Sequence, residues 1–286
     1  MERAFALPAP AKLNLFLHVL GRRGDGYHEL QTAFALIDFV DYVDIERRDD
    51  GALHRTGDVI GPAEQDLALR AARLLQQATG TRYGAGIRVS KRIPAGAGLG
   101  GGSSDAATTL IALNRIWDTG LDRDRLAELA LSLGADVPFF VQGSNAFGEG
   151  RGERLQPVAL PPADYALIWT QVHVSTKEIF GDPSLTRDTK ATKMSDFSAR
   201  AASGLVPLAG TNDLEAVAVR RHPVIGQALD HLRRFVAVEA ARMTGSGSAV
   251  FAVTDERTAA AAVAELPDGW QGWAVKGLQE HPLRAW

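Results

Sequence analysis

Residues 94–104 read Pro94-Ala-Gly-Ala-Gly-Leu-Gly-Gly-Gly-Ser-Ser104 and include five glycines, Gly96, Gly98, Gly100, Gly101 and Gly102. Glycine has no side chain to pack and loses more backbone freedom on folding than any other residue, so this stretch is not a core element. Its backbone can take positive φ, approach a ligand closely and direct several N–H groups at one point. This glycine loop, residues 94–104, is therefore predicted to bind a ligand through its backbone.

A helix is predicted directly after the glycine loop. Ser103 or Ser104 can cap it, and apolar side chains then recur on roughly one face: Ala106, Ala107, Leu110, Ile111 and Trp117. The free N–H groups and the positive dipole end of a helix converge at its start. Phosphate is the predicted ligand.

Three other interpretations of the glycine loop are weaker. A flexible linker rarely opens straight into a capped helix. The spacing Gly96-x-Gly98-x-x-Gly101, with Asp118 downstream, fits a dinucleotide fingerprint. That fingerprint belongs in a βαβ unit, whereas several strands and a helix are predicted before the loop. A Walker-type loop requires a lysine after the last glycine, and Ser103 stands there.

Composition indicates an ordinary globular protein with a core. The chain has 286 residues, of which 45% are apolar and 23% charged, and its formal net charge of −3 gives no reason to expect nucleic acid or a membrane as a partner. The absence of cysteine excludes disulfides, thiolate metal sites and a cysteine nucleophile. With no signal-peptide pattern and no apolar run of membrane-spanning length, a cytoplasmic location is expected.

Strand and helix patterns alternate along the chain without strict βαβ order, which favours an α+β fold. Residues 3–20, 27–37 and 40–46 alternate as strands, and Lys12, Asn14 and His18 share the polar-bearing side of the first. Helices are predicted over 62–79, 122–134, 213–221, 224–235 and 256–265. Residues 135–141 are predicted to turn into an apolar strand, and part of 181–212 to be a mobile loop.

Several motifs together resemble the GHMP family of small-molecule kinases. The glycine loop resembles the family's phosphate loop, Gly245-Ser-Gly-Ser-Ala-Val-Phe251 its C-terminal loop, and Pro10-Ala-Lys-Leu-Asn-Leu15 its early motif. Two further stretches, Gly21-Arg-Arg-Gly-Asp-Gly-Tyr-His-Glu-Leu30 and Gly134-Ala-Asp-Val-Pro-Phe-Phe140, are similar to one branch of that family. That branch phosphorylates 4-diphosphocytidyl-2-C-methyl-D-erythritol in the non-mevalonate isoprenoid pathway.

The resemblance implies a two-domain α+β fold with the active site in the cleft between the domains. Residues 1–159 would form an ATP-binding N-terminal domain and 160–286 a C-terminal domain, with the boundary near Pro157–Pro162. It also implies Lys12 and Asp136 as the catalytic pair that moves the γ-phosphoryl group of ATP to the 2-hydroxyl. The chemistry agrees, because an acceptor hydroxyl needs a carboxylate within reach and an ammonium keeps that carboxylate ionised. Taken alone, Lys12 would be a solvated strand lysine and Asp136 a turn residue.

The other site residues also come from the resemblance. It implies that Tyr27 and His28 hold the cytosine of the small-molecule substrate, that Phe180 stacks on its opposite face, and that Asn14 and Thr176 contact substrate phosphate or hydroxyl groups. For Phe180, a core position under a loop is about equally compatible with the pattern. ATP would bind through the whole glycine loop: Pro94, Ala95, Gly96, Ala97, Gly98, Leu99, Gly100, Gly101, Gly102, Ser103 and Ser104.

Adenine contacts are implied for Asp66 and Lys91. The family usually has Asn where this chain has Asp66, and a carboxylate can accept from the adenine amino group but cannot donate. The sequence shows no metal-binding constellation, so Mg²⁺ is expected to arrive with ATP, with Ser104 as a candidate ligand. Another GHMP kinase, for homoserine, mevalonate or a sugar, and a non-catalytic sensor of the same fold are the alternatives. The Tyr27-His28 pair disfavours the first, and the presence of Lys12 and Asp136 disfavours the second.

Overall fold

Two long antiparallel strands run through the centre of the structure. The computed structural model describes residues 2–203 and 210–286. Strand β1 (Arg3–Arg22) pairs with β2 (His28–Arg48) along almost its whole length. The sequence predicted two separate strands where β2 is continuous. The register shifts between Pro10↔Val40 and Ala11↔Ile37, so a bulge at 38–39 interrupts the alternation of side chains without ending the strand.

Strands from both halves of the chain pair with the other edge of β2. Three strands lie along that edge: β5 (Ala146–Gly150), β10 (Gln271–Leu278) and β4 (Gly84–Ser90). The remaining strands extend the sheet outward: β3 (Leu53–Gly57) on β4, β6 (Arg154–Pro157) on β5, and β7 (Asp164–Trp169), β9 (Val250–Thr254) and β8 (Ala241–Met243) beyond β10. Only β3 and β4 pair in parallel within these named strands of the described residues. The predicted α+β class is confirmed.

The helices of the described residues cover this sheet. They are α1 (Leu67–Thr79), α2 (Gly101–Ile116), α3 (Arg123–Ala130), α4 (Val137–Gln142), α5 (Thr176–Gly181), α6 (Met194–Ala202), α7 (Glu215–Arg221), α8 (Pro223–Leu232) and α9 (Glu256–Ala264). Helix α2, which follows the glycine loop, is the most central, and its Ala106, Leu110 and Leu113 are fully buried. Burial on this scale fixes the position of the loop that precedes it. None of the helices in 2–203 and 210–286 is long and apolar enough to cross a membrane.

Two local predictions differ from the structure. Residues 137–141 form helix α4 rather than a strand; a short apolar run does not distinguish the two, and Pro138 suits the first turn of a helix. The cap of α2 is Gly100 at φ 74°, a left-handed conformation that favours glycine, so Ser103 and Ser104 lie inside the first turn. Within 181–212, part of which is predicted to be a mobile loop, residues Met194–Ala202 form helix α6, and 204–209 lie outside the described residues.

Candidate active site

Two adjoining cavities meet at the glycine loop. The smaller, of about 350 Å³, is lined by residues 94–103 together with the start of α1 and the end of β4. The larger cleft, of about 1230 Å³, extends between β1, β2, the turn before α4 and helix α5. Gly96, Gly98 and Gly100 line both. A ligand bound in one cavity would therefore face a ligand bound in the other cavity across the glycine loop.

The glycine loop is held in place by both halves of the chain. The backbone N–H of Lys12 in β1 donates to the carbonyl of Leu99 at 3.0 Å. The N–H of Ala249, in the second glycine loop (residues 243–249), donates to the carbonyl of Ala97 at 3.0 Å. The side chains of Ala97 and Leu99 are buried, so the loop is anchored on one side while its glycines face the cavities.

Glycine is required where the two glycine loops approach each other. Gly98 has φ 80°, and a Cβ there would lie 2.3 Å from the carbonyl oxygen of Thr244. A Cβ at Gly100 would lie 3.0 Å from the ring of Phe140 and 3.2 Å from Cγ of Lys12. This close approach brings the start of α2, with its free N–H groups, to the wall between the cavities. Such a cradle fits a phosphate group.

Lys12 and Asp136 lie together in the larger cleft. The Lys12 Nζ atom is 3.6 Å from Oδ2 of Asp136, and it donates to Oδ1 of Asn14 at 2.5 Å. The lysine is buried in β1, whereas a third of the Asp136 side chain is exposed at the start of α4. Burial lowers the pKa of Lys12, and the Asp136 carboxylate opposes that shift. The pair thus joins a buried ammonium to a carboxylate that a ligand can reach.

Asn14 orients the ammonium of Lys12. Its Nδ2 donates to Oγ1 of Thr32 at 2.8 Å, and that hydroxyl donates to the carbonyl of Phe16 at 2.5 Å. The backbone N–H of Asn14 donates to Oγ1 of Thr244 at 2.9 Å, again from the second glycine loop. Because Thr32 occupies the amide nitrogen, the side-chain oxygen of Asn14 faces Lys12.

The aromatic residues implied for the cytosine site line the same cleft. The rings of His28 and Phe180 stack with their centroids 5.0 Å apart and an angle of 28° between their planes. Tyr27 is 57% exposed, and the guanidinium carbon of Arg151 lies 4.9 Å from its ring centroid. Thr176 also lines the cleft, with its Oγ1 2.7 Å from the hydroxyl of Ser246.

Asp66 and Lys91 line the smaller cavity, but both already have partners. Asp66 caps α1 by accepting from Leu69 N at 2.9 Å, and its other oxygen pairs with Nε of Arg55 at 3.0 Å. The ammonium of Lys91 binds the carboxylates of Asp41 and Asp105. Burial, reinforced by the neighbouring Asp41, raises the pKa of Asp105 to about 7 against the attraction of Lys91. The sequence did not reveal that Asp66 and Lys91 are already paired with other side chains.

The structure adds one observation on the Mg²⁺ that is expected to arrive with ATP. Among residues 2–203 and 210–286, no group of three or more His, Asp or Glu side chains could hold a metal ion. The hydroxyl of Ser104 is buried in the first turn of α2 and has no hydrogen-bond partner in the described structure. Ser104 is absent from the linings of both cavities, unlike the rest of the glycine loop.

Sequence reasoning missed several residues of the larger cleft. Arg151 and Arg187 line the cleft, but the sequence assigned no site role to either of them. His173 packs closely against the glycine loop: a Cβ added to Gly96 would lie 2.6 Å from Nδ1 of His173. No periodicity marks these positions, since each reaches the cleft from irregular backbone.

Comparison with known proteins identifies the family. The GHMP kinases N-terminal domain matches residues 66–144, and the GHMP kinases C-terminal domain matches residues 197–272. The chain is 56% identical to the 4-diphosphocytidyl-2-C-methyl-D-erythritol kinase of Ralstonia nicotianae over 96% of its own length and 94% of the relative's. It is 54% identical to the same-named enzyme of Aromatoleum aromaticum, over 100% and 98%.

Solved structures agree with the sequence relatives. A crystal structure of 4-(cytidine 5'-diphospho)-2C-methyl-D-erythritol kinase superposes with a TM-score of 0.82 at 37% identity, covering 94% of this chain and 98% of that one. Homoserine kinase from Cytophaga hutchinsonii superposes with a TM-score of 0.71 at 16% identity, covering 98% and 95%, which shows a shared fold alone. The two-domain GHMP kinase fold predicted from the motifs is confirmed. The chain belongs to the GHMP kinases and, within them, to the family of 4-diphosphocytidyl-2-C-methyl-D-erythritol kinases.

Proposed function

We propose that this chain transfers the γ-phosphoryl group of ATP to the 2-hydroxyl of 4-diphosphocytidyl-2-C-methyl-D-erythritol, a step of isoprenoid precursor biosynthesis. The observation that carries the proposal is the pair Lys12–Asp136, 3.6 Å apart in the larger cleft beside the wall that both cavities share. A phosphate in the glycine loop and a hydroxyl at Asp136 would face each other there. Positioning of this kind supplies most of the catalysis of phosphoryl transfer.

ATP is assigned to the smaller cavity, with its phosphates on the glycine loop. The N–H groups at the start of α2 would receive them, and the close packing at Gly98 and Gly100 supports this role. Mg²⁺ bound with ATP would supply positive charge to the phosphate oxygens. Ser104 stays a candidate for the metal or a phosphate through its unpartnered hydroxyl alone, since it lines neither cavity.

The acceptor hydroxyl is assigned to Asp136. Its partly exposed carboxylate would accept the hydroxyl proton as the new bond to phosphorus forms. The buried ammonium of Lys12, 3.6 Å from that carboxylate, adds positive charge where phosphoryl charge is transferred. Asn14 would serve this step by holding Lys12, and Thr176 would contact the substrate.

The cytidine end of the substrate is assigned to the aromatic part of the larger cleft. Tyr27 and Phe180 would stack on the base, and His28 would bind its edge. Arg151, close to the ring of Tyr27, adds positive charge near the expected diphosphate. A homoserine or mevalonate kinase has no evident use for these aromatic side chains. Their presence therefore favours the cytidyl acceptor.

The adenine end is assigned to Asp66 in a reduced role. Its carboxylate keeps lone pairs for the adenine amino group although it caps α1 and pairs with Arg55. Lys91, whose ammonium is held by two carboxylates, would support the glycine loop rather than bind adenine directly. The other expectations from the sequence also stay proposals: a domain boundary near residue 159, no nucleic-acid or membrane partner, and a cytoplasmic location.

A coupled assay of ADP release with a panel of acceptors tests the function. The cytidyl substrate should give turnover with ATP and Mg²⁺, whereas homoserine, mevalonate and free sugars should give rates near background. Turnover with one of those small acceptors, and none with the cytidyl substrate, would overturn the proposal. Binding of ATP and the cytidyl substrate without ADP release would support the non-catalytic sensor instead.

A further inference from the structure

The side chain of Arg187 is fixed in one orientation beside the larger cleft. Its Nη1 donates to the carbonyl of Leu185 at 3.0 Å, and its Nη2 donates to those of Phe180 and Asp182 at 2.9 and 2.8 Å. Its third nitrogen, Nε, donates to Nε2 of His28 at 3.1 Å. Three backbone carbonyls thus aim one guanidinium N–H at one imidazole nitrogen.

This contact determines which nitrogen of His28 carries the proton. A guanidinium has donors and no acceptor, so Nε2 of His28 must accept. In the neutral ring the proton then resides on Nδ1, for which the described residues provide no hydrogen-bond partner. Burial, followed by the charges of Arg187 and Arg22, lowers the pKa of His28 and favours this neutral ring. The stacked ring of Phe180 limits rotation of the imidazole.

We infer that Arg187 is a positioning residue that holds His28 in its Nδ1–H tautomer, and that this tautomer selects a cytosine base over a uracil base. The inference rests on the proposed function. At position 3, cytosine presents a bare nitrogen that accepts a hydrogen bond, whereas uracil presents an N–H that donates. A fixed Nδ1–H donor matches the first and opposes the second. The other tautomer would present an acceptor and reverse the preference.

Selection by one fixed donor is effective because a mismatched base leaves two donors facing each other in a partly desolvated site. His28 is half-buried between Phe180 and the bend before β2, so water can replace the lost contact only in part. An imidazole free to exchange tautomers would accept either base. The role of Arg187 is therefore to prevent His28 from exchanging between its two tautomers.

The test compares the cytidyl substrate with its uridyl analogue, 4-diphosphouridyl-2-C-methyl-D-erythritol. The ratio of their kcat/KM values is measured for the wild type, for Arg187→Met and for the matched control Arg221→Met. Arg221 anchors the same segment through Asp182, with its Nε 2.9 Å from the carboxylate, but does not contact His28. Arg187→Met should lower the ratio by about tenfold, the worth of one mismatched hydrogen bond, and leave the KM for ATP unchanged. Arg221→Met should keep the wild-type ratio.

A second measurement reads the tautomer of His28 directly. Nitrogen-15 shifts of the His28 ring, assigned with His28→Asn, should show Nδ1 protonated in the wild type at neutral pH and mixed tautomers in Arg187→Met. Protonation of Nε2 in the wild type, or an unchanged base ratio in folded Arg187→Met, would overturn the inference. Failure of the wild type to phosphorylate the cytidyl substrate would instead overturn the proposed function, and the ring shifts would still decide the tautomer.

Discussion

The ammonium of Lys12 lies 3.6 Å from the carboxylate of Asp136, although the two residues are far apart in the chain and belong to different elements. Lys12 is buried within β1 and Asp136 stands at the start of α4. Burial lowers the pKa of Lys12, and the nearby Asp136 opposes that shift, so the carboxylate helps the buried lysine to keep its charge. The first prediction tests whether they act as one unit.

Asp136→Asn should reduce turnover and leave the binding of both ligands nearly intact. The amide keeps the shape of the side chain but cannot take the hydroxyl proton, and general-base contributions are typically about 10²–10⁴-fold in rate. Lys12→Ala should also be severe because it removes positive charge from the transfer site. Steady-state kinetics of the double variant decide the coupling: it should be little worse than the poorer single variant. Fully multiplicative losses would show that the residues act separately, and near-normal turnover in Asp136→Asn would contradict the base role.

Gly98→Ala should separate the two glycine loops. The added Cβ would lie 2.3 Å from the carbonyl oxygen of Thr244, and φ of 80° strains any side chain. Strain of this kind costs about 1–3 kcal/mol of unfolding free energy, and ATP affinity should fall as the loop moves. Urea denaturation and nucleotide titration measure the two effects. Gly86→Ala is the control, since its Cβ would meet only ordinary contacts at 4.0 Å. Unchanged ATP affinity in Gly98→Ala would show that the loop does not hold the phosphates.

Tyr27→Ala should weaken the cytidyl substrate and leave ATP unaffected. Stacking of a base on an aromatic ring is worth about 1–3 kcal/mol, by analogy with nucleic-acid complexes, which corresponds to about a 5–150-fold rise in KM. Stability should hardly change, because the ring is 57% exposed. The matched control is Phe5→Ala, which removes a ring of similar exposure (61%) away from the cleft and should leave both KM values unchanged. An equal rise in both KM values for Tyr27→Ala would place the ring elsewhere.

Acid should destabilise the fold through His281. Burial, with a smaller effect of the nearby Arg123, lowers the pKa of His281 from 6.5 to about 3, and its Nδ1 accepts from Leu283 N at 3.0 Å. Between pH 6.5 and about 3, His281 is protonated in the unfolded chain but stays neutral in the folded chain. Its contribution to stability is therefore complete above pH 6.5 and falls as pH decreases toward 3, by at most about 1.4 kcal/mol per pH unit.

His281→Asn tests this dependence, since the amide oxygen can accept from Leu283 without a titrating ring. Urea denaturation between pH 7.5 and 4.5 should give a flatter profile for this variant than for the wild type. His54→Asn, which changes an exposed histidine of β3, should reproduce the wild-type slope. Identical profiles for wild type and His281→Asn would exclude His281 as the source of the acid sensitivity.

The sequence by itself determined the α+β class, the glycine loop followed by a helix, the second glycine loop and the family. These features are local or are carried by contiguous motifs, so pattern and turn chemistry reveal them. Side-chain caps are local in the same way: Asp122 caps α3 and Ser175 caps α5. The prediction of a strand at 137–141 was wrong, because a short apolar run does not by itself distinguish a buried strand from a buried helix.

Only the tertiary structure decided which side chains are free to bind a ligand. Asp66 and Lys91 look available in the sequence, yet the fold pairs one with Arg55 and the other with Asp41 and Asp105. Arg187 looked like a residue of a polar loop, yet the fold aims it at His28, 159 positions away. Hydrogen bonds and ion pairs act over about 3–4 Å, and sheet pairing and helix packing determine which distant residues come that close.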